Sequence, residues 1–307
     1  MIGIVVVNWN AGEMLASCLH SIDDYGVGLV DEVVVVDNNS SDGSDLIAEN
    51  LPNTTLVRAA GNLGFGKACN LGAQHVQSEY LLFLNPDAAL FQNTLINALE
   101  YMQHPANSRV GICGVQLIDE FGRVSKSCAR FPRSIRFIAH AVGVDRFFPS
   151  LGHFMADWDH AQTREVDHVI GAFFLIRRAL FESIGGFDER FFVYLEDLDL
   201  SLRVRQLGWT SIYLADAQAF HAGGGTSNQV KARRLFYSLR SRVLYASKHF
   251  SKIGALGVLL ATILVEPVSR LTFALLRRSW SNFNETLAAY GMLLRWLPQW
   301  VVKGITR

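Results

Sequence analysis

The chain has 307 residues, half of them hydrophobic and 18% charged, which excludes a disordered protein and allows a catalytic domain with an appendage. A formal net charge of zero hides a split: residues 223–307 hold 13 Lys or Arg against two Glu, leaving 15 basic and 26 acidic residues before them. Cys18, Cys69, Cys113 and Cys128 show neither C-x-x-C spacing nor metal-site pairing, which argues against a disulfide scaffold and for a reduced compartment.

The chain opens on IGIVVVN, Ile2–Asn8, an apolar run closed by a polar residue, the pattern of a strand buried on both faces of a parallel sheet. With no basic n-region or small-residue cleavage site, no secretory signal is expected. Met14, Leu15, Cys18, Leu19 and Ile22 then recur at helical spacing. Next come a strand over residues 32–37, a short helix after SSDGS, a strand in TTLVR, a helix over about 64–76 and a strand at Tyr80–Leu84. This series predicts an α/β fold with a doubly wound, mostly parallel sheet, whose ligands sit beyond the carboxyl ends of the strands. Those ends read Asn8-Trp9-Asn10, Asp37-Asn38-Asn39-Ser40 and Asn85-Pro86-Asp87.

From about Val110 the pattern predicts shorter strands, and residues 128–166 give no assignable pattern. A strand near 169–176, a helix around 178–184 and a helix from Glu196 or Asp197 to before Gly208 follow, then short strands at 209–214 and 217–221. After GGGTS the helical, basic tail begins, so the expected division is residues 1–222 and 223–307. The tail carries IGALGVLLATILV at 253–265, too short to cross a bilayer as a helix, and Glu266, Pro267 and Arg270 interrupt it before LTFALL resumes. Flanked by Lys252, Arg270, Arg277 and Arg278, it reads as an in-plane or re-entrant membrane helix, or as a buried packing helix with solvated ends. Its Leu, Val and Trp content suits lipid rather than nucleic acid.

Several residues could carry chemistry. GNLGFGKACN, residues 61–70, satisfies G-x-x-x-x-G-K but places Ala68 where a P-loop needs a hydroxyl for magnesium, which counts against a P-loop kinase or NTPase. Asp37 ends a buried strand and could accept N3–H of uracil or thymine; its other reading is a helix N-cap, a role Ser41 or Asp42 already suits. In Asn85-Pro86-Asp87, the proline fixes the turn and the carboxylate could bind Mg²⁺ or Mn²⁺ beside diphosphate oxygens, or the tripeptide is only a turn. Glu196, Asp197 and Asp199 crowd a helix N-terminus, where capping is the simple account; Asp199 can pair with Arg203, whereas Glu196 or Asp197 could take a proton from an attacking hydroxyl. His221 can join a carboxylate on Mn²⁺, and the glycines at 223–225 allow backbone amides near a phosphate.

Taken in order, IVVVNWN, VVVVDNNSSDGS, NLGFGKACN, LLFLNPDA, GAFFLIRRALFESIGGFDERFFVYLEDLDLSLRVRQLGW and FHAGGGTS resemble glycosyltransferase family 2, the inverting nucleotide-sugar transferases of GT-A fold, over residues 2–227. The likeness is greatest to the bacterial rhamnosyltransferase-like branch of cell-surface polysaccharide assembly. It implies that Asp37 reads the nucleobase in a pocket lined by Asn8, Asn10 and Asn39, and that Asn62, Gly64 and Asn70 back the nucleotide site. Asp87 would hold Mg²⁺ or Mn²⁺ as the last member of a degenerate D-x-D begun by Asn85, with His221 a further metal or diphosphate ligand. Asp197 would be the catalytic base and Glu196 would position the acceptor, with Gly171 on the acceptor side; charge alone, not the likeness, places a diphosphate near Lys231, Arg233, Arg234, Arg240 or Arg242. The implied donor is dTDP-L-rhamnose, with UDP-sugars next. The tail's charge and apolar content suggest as acceptor a polyprenyl-diphosphate-linked saccharide at the cytoplasmic face of the inner membrane. Asn85 and Cys69, the latter where many members carry Arg, depart from the family pattern. A non-catalytic nucleotide-sugar or glycan-binding module is the alternative, against which Asp37, Asp87, Asp197 and His221 are all present. The sequence sets no oligomeric state.

Overall fold

The computed structural model describes residues 1–223 and 230–306. Its strands are β1 (Ile2–Asn8), β2 (Val30–Asp37), β3 (Thr54–Arg58), β4 (Tyr80–Leu84), β5 (Ala88–Leu90), β6 (Val110–Ile118), β7 (Cys128–Ala129), β8 (Arg164–Val166), β9 (His168–Val169), β10 (Phe173–Arg177) and β11 (Thr210–His221). The α-helices are α1 (Glu13–Tyr25), α2 (Leu46–Glu49), α3 (Phe65–Ala73), α4 (Thr94–Gln103), α5 (Ser134–Val142), α6 (Arg178–Ser183), α7 (Glu196–Gln206), α8 (Lys231–His249), α9 (Lys252–Leu260), α10 (Glu266–Leu276) and α11 (Trp280–Lys303). The chain forms two compact units. The first comprises Met1–Arg130, Trp158–Glu189 and Glu196–Thr226; the second comprises Phe131–Asp157, Arg190–Leu195 and Ser227–Arg307. The second unit therefore draws two segments from before residue 222.

In the first unit the apolar runs stack side by side. All seven residues of β1 are buried, as are Val33 to Val36 of β2 and all of β4, because helices cover both faces of a parallel sheet. Strand order is β3-β2-β1-β4-β10-β6-β11-β5, with β8 paired to β11. β3, β2, β1 and β4 are parallel, and the antiparallel β10 joins β4 to β6. The order reverses beside β1, whose successor strands in the chain lie on opposite sides of it, so the crevice falls at the carboxyl ends of β1 and β4.

Several sequence expectations are corrected here. β6 is a nine-residue strand, not a shorter one. The two short strands expected at 209–221 are one, β11, whose register shifts between Leu214 and Gln218 so that the pattern breaks while the strand continues. α2 spans only four residues and its N-cap is Asp45, not Ser41 or Asp42. Residues 128–166 hold β7, α5, two short 3₁₀ turns and β8.

The second unit is helical. Leu239, Val243, Leu244 and Tyr245 of α8 are buried, as are Ala289, Leu293 and Trp296 of α11, and the Phe137, Tyr245 and Phe250 rings meet at centroid separations of 5.9 Å. The expectation that the run at 253–265 is too short to cross a bilayer is corrected: the helix continues past Glu266 and Pro267 over Lys252–Leu276, long and apolar enough to do so. The Glu266 N–H reaches back five residues to Ala261, a π turn over Ala261–Val265 that widens the helix just before the proline, which has no N–H to donate. Glu266 itself is buried, because Arg242 and Arg270 bond its carboxylate.

Candidate active site

The carboxyl ends of β1 and β2 are tied together by side chains. Asn8 Nδ2 donates to Asp37 Oδ1 at 2.9 Å and to Ser44 Oγ at 2.9 Å, and the Ser40 N–H donates to Asp37 Oδ2 at 3.1 Å. Both oxygens of the buried Asp37 thus have protein partners, and Asn8 holds Asp37 in place; the Asn8 Oδ1 atom has no partner among the described residues. Asn10 accepts from the Ser41 N–H at 2.7 Å, stitching the two loops, while Asn39 is exposed with φ 65°, a left-handed conformation that Asn adopts more readily than most residues.

The glycine-rich segment joins β3 to α3 and is tied to the loop after β2. Asn38, which the sequence did not single out, accepts from the Leu63 N–H at 2.7 Å and donates to Asn62 Oδ1 and the Gly64 carbonyl. Asn62 also takes the Gly64 N–H, and Gly64 at φ 76° makes the turn into α3. Lys67 pairs with Glu189 at 3.2 Å. Asn70 bonds both backbone groups of Phe187, so it pins that loop. Cys69 is buried, and burial together with the charges of Glu196 and Asp197 pushes its thiol well up, keeping it neutral.

At the opposite side of the crevice, Asn85 follows β4 and its N–H bonds the Ala172 carbonyl at 3.0 Å. Asp87 Oδ1 lies 3.4 Å from His221 Nε2, where β5 and β11 pair, and both side chains keep an exposed edge. A hard carboxylate and an imidazole facing each other suit Mg²⁺ or Mn²⁺, with further positions open to diphosphate oxygens or water. No group of three or more His, Cys, Asp or Glu with metal-site spacing occurs among the described residues. Of the glycine-rich stretch after His221, residues 224–227 lie outside the described residues.

Glu196 and Asp197 open α7, and their environments push them apart. Asp197 Oδ2 accepts the Gly171 N–H at 2.9 Å and faces His168 Nε2 at 3.5 Å, while Oδ1 accepts the Leu198 N–H at 2.8 Å. Burial works to raise the Asp197 carboxyl, but His168 and the two amides outweigh it and hold the group below the usual carboxylate range. For Glu196, burial and then the charge on Asp197 push the carboxyl well above that range, and Oε2 has no partner among the described residues. The two carboxyls are thus pushed in opposite directions, Asp197 with 19% of its side chain exposed and Glu196 buried. Gly171 lets the backbone come close to the carboxylate: a Cβ there would stand 3.3 Å from Asp197 Oδ2, which would have to give way by a few tenths of an ångström. Asp199 takes the structural part expected of it, bonding Arg203 at 2.8 Å.

His168 was missed. It is buried, and its Nδ1 lies 2.9 Å from Ser201 Oγ. With Ser201 donating to Nδ1, Nε2 carries the hydrogen aimed at Asp197. Asp197 and Ser201 stand four residues apart on one helical face, a spacing that could have signalled a shared partner, but the partner comes from a strand 29 residues earlier. Arg240 is 3% exposed, with its guanidinium 5.0 to 5.6 Å from the ring centroids of Phe192, Phe236 and Tyr237. Arg233, on the first turn of α8, is exposed.

With this geometry in view, comparisons with known proteins are specific. The family model for Glycosyl transferase family 2 matches residues 3–185. The N-acetylglucosaminyl-diphospho-decaprenol L-rhamnosyltransferase of Mycobacterium tuberculosis (strain CDC 1551 / Oshkosh) is 29% identical over 267 residues, 80% of this chain and 84% of that protein. Rhamnosyltransferase WbbL of Escherichia coli (strain K12) is 24% identical over 259 residues, 81% and 93% of the two chains. Among solved structures, the mannosyltransferase PcManGT from Pyrobaculum calidifontis, in complex with GDP-Man and Mn2+, superposes with a TM-score of 0.57 at 20% identity, covering 95% of this chain and 86% of that one.

Proposed function

Because the chain belongs to glycosyl transferase family 2, and is a glycosyltransferase of GT-A fold, we propose that it transfers L-rhamnose from dTDP-L-rhamnose, with inversion, to a polyprenyl-diphosphate-linked saccharide. Asp197 carries the catalytic part of this assignment: it is an ionised, reachable carboxylate at the mouth of α7, on the same side of the sheet as the ends of β1, β2 and β4. The names of the relatives, rhamnosyltransferases of which one acts on a decaprenyl-linked sugar, support the donor and acceptor classes, with UDP-sugars as the next donors to try.

The acceptor oxygen attacks the anomeric carbon opposite the nucleotide. Its C–O bond forms as the bond to the diphosphate oxygen breaks, the proton passes to Asp197, and the electron pair leaves on the nucleoside diphosphate. One such displacement inverts the anomeric centre without a covalent intermediate. Glu196 beside it, its carboxyl pushed up by burial and by Asp197, is the candidate to position the acceptor, and Asp37, fixed by Asn8 and Ser40, is the candidate reader of the nucleobase. Asp87 and His221 would hold Mg²⁺ or Mn²⁺, which neutralises charge on a departing diphosphate when bound. The reaction would take place at the cytoplasmic face of the inner membrane, with residues 223–307 at the surface, in the assembly of a cell-surface polysaccharide.

The test is nucleoside diphosphate release from dTDP-L-rhamnose, UDP-sugars and GDP-sugars, with a lipid-linked N-acetylglucosamine acceptor and with Mn²⁺ or Mg²⁺ supplied or chelated. Release from dTDP-L-rhamnose that needs acceptor and metal and is lost in Asp197→Asn is expected. Turnover of a different donor alone would overturn the rhamnosyl assignment, and tight nucleotide binding without turnover of any donor would overturn the catalytic one.

A further inference from the structure

The helix Lys252–Leu276 keeps its carboxylate inside and leaves a long apolar stripe outside. Its buried side carries Val258, Ala261, Ala274, Thr262 and Glu266, the last between Arg242 and Arg270, where burial alone would raise the carboxyl but the two guanidinium groups hold it below its usual range. Its outer side carries Ile253, Leu256, Leu260, Leu264, Val268 and Leu275, spaced by three, four or seven residues so that they share one face, and 42 to 86% exposed. A helix meant for water shows it the polar face. Only 28% of the most apolar stretch of this helix is buried.

Charge indicates what covers that face. Lys252 stands at one end of the helix and Arg277 and Arg278 at the other, and Glu266, its sole carboxylate, is turned inward. The complement is therefore apolar and anionic together, which a second copy of the same face is not. A segment from the middle of the chain joins it: the Ser269 hydroxyl bonds the carbonyl of Ala141 at 2.8 Å, and the Arg146 guanidinium lies 4.5 Å from the Phe273 ring, which Arg277 approaches at 4.2 Å. Directly after Arg146 come Phe147, 81% exposed, and Phe148, 61% exposed. Length and composition would let the helix cross a bilayer, but its polar side is packed against α5 and α8, which would have to enter with it.

We propose that this helix lies in the plane of an anionic phospholipid surface with its apolar face among the acyl chains, and that Phe147 and Phe148 insert beside it while Arg146, Arg277 and Arg278 meet headgroup phosphates. The inference rests on the membrane contact proposed above and adds its orientation, its headgroup charge and an internal anchor.

The experiment is flotation of the full chain with vesicles of phosphatidylcholine, alone or with about one-third phosphatidylglycerol. Wild type should float with the anionic vesicles far more than with the neutral ones, and alkaline carbonate should release it. The exposed-site variant Phe147→Ser/Phe148→Ser should keep its melting curve yet bind at least about tenfold more weakly. If wild type floats with neither vesicle, the membrane contact itself fails. If wild type floats and the double variant floats equally well, the internal anchor is overturned while the membrane contact stands. Resistance to carbonate would overturn the in-plane orientation. A lipid-free dimer that becomes monomeric in the double variant would show that a second copy covers the face.

Discussion

Removing His168 should move the acid limb of the reaction. In His168→Leu the side-chain volume is roughly kept, but Asp197 loses the Nε2 hydrogen at 3.5 Å and retains the Gly171 and Leu198 amides. A hydrogen bond to a charged group contributes about 1.5–3 kcal/mol. The separation is at the outer limit of such a bond, so the low end applies, roughly one pKa unit. The sign follows from Asp197 having a folded-state carboxyl below its ordinary value. Its ionised form is the base, so losing a partner raises the pKa, and the acid limb of kcat/KM shifts to higher pH by about one unit. Stability follows the same sign: a depressed carboxyl stabilises above its unfolded pKa, and that contribution is lost as pH falls through the folded one, so the variant should lose less stability on acidification than wild type. Nucleoside diphosphate release measured across pH is the assay. A uniform drop in kcat/KM with an unmoved limb would show that His168 only supports packing.

Gly171→Ala should lower kcat by at least about tenfold with a nearly unchanged melting temperature, because its Cβ would press on Asp197 Oδ2 at 3.3 Å without demanding new backbone angles. Asn38→Ala removes bonds to Leu63, Asn62 and Gly64 and should cost about 2–3 kcal/mol in urea unfolding while raising the donor KM. Lys67→Ala breaks a half-exposed pair with Glu189, worth no more than about 1 kcal/mol, and should leave nucleotide affinity within about twofold; a large loss in calorimetry would restore the phosphate-loop alternative. Chelation and Asp87→Asn should each depress turnover, and together should do little more than either alone, whereas full additivity would place the metal elsewhere.

The apolar runs of β1, β2 and β4 were legible because a strand buried on both faces has no room for polar residues, and their polar ends marked the crevice for the same reason. The Glu196-Asp197 pair was also visible in the sequence, as carboxylates at a helix mouth. That their carboxyls are pushed in opposite directions was not: that depends on His168 and Gly171 converging on Asp197 and on the burial of Glu196. The burial of Arg240 was not legible, because a basic residue in a basic helix looks exposed until the rings that cover it are located.

The tail shows the division most plainly. Its composition determined that it is helical, apolar and basic. Only the tertiary structure decided which stripe is turned outward, because a hydrophobic stripe reads the same whether it faces a core or a bilayer, and the side it faces is fixed by partners distant in sequence: Arg242 drawing Glu266 inward, and the segment around Arg146 resting on Phe273.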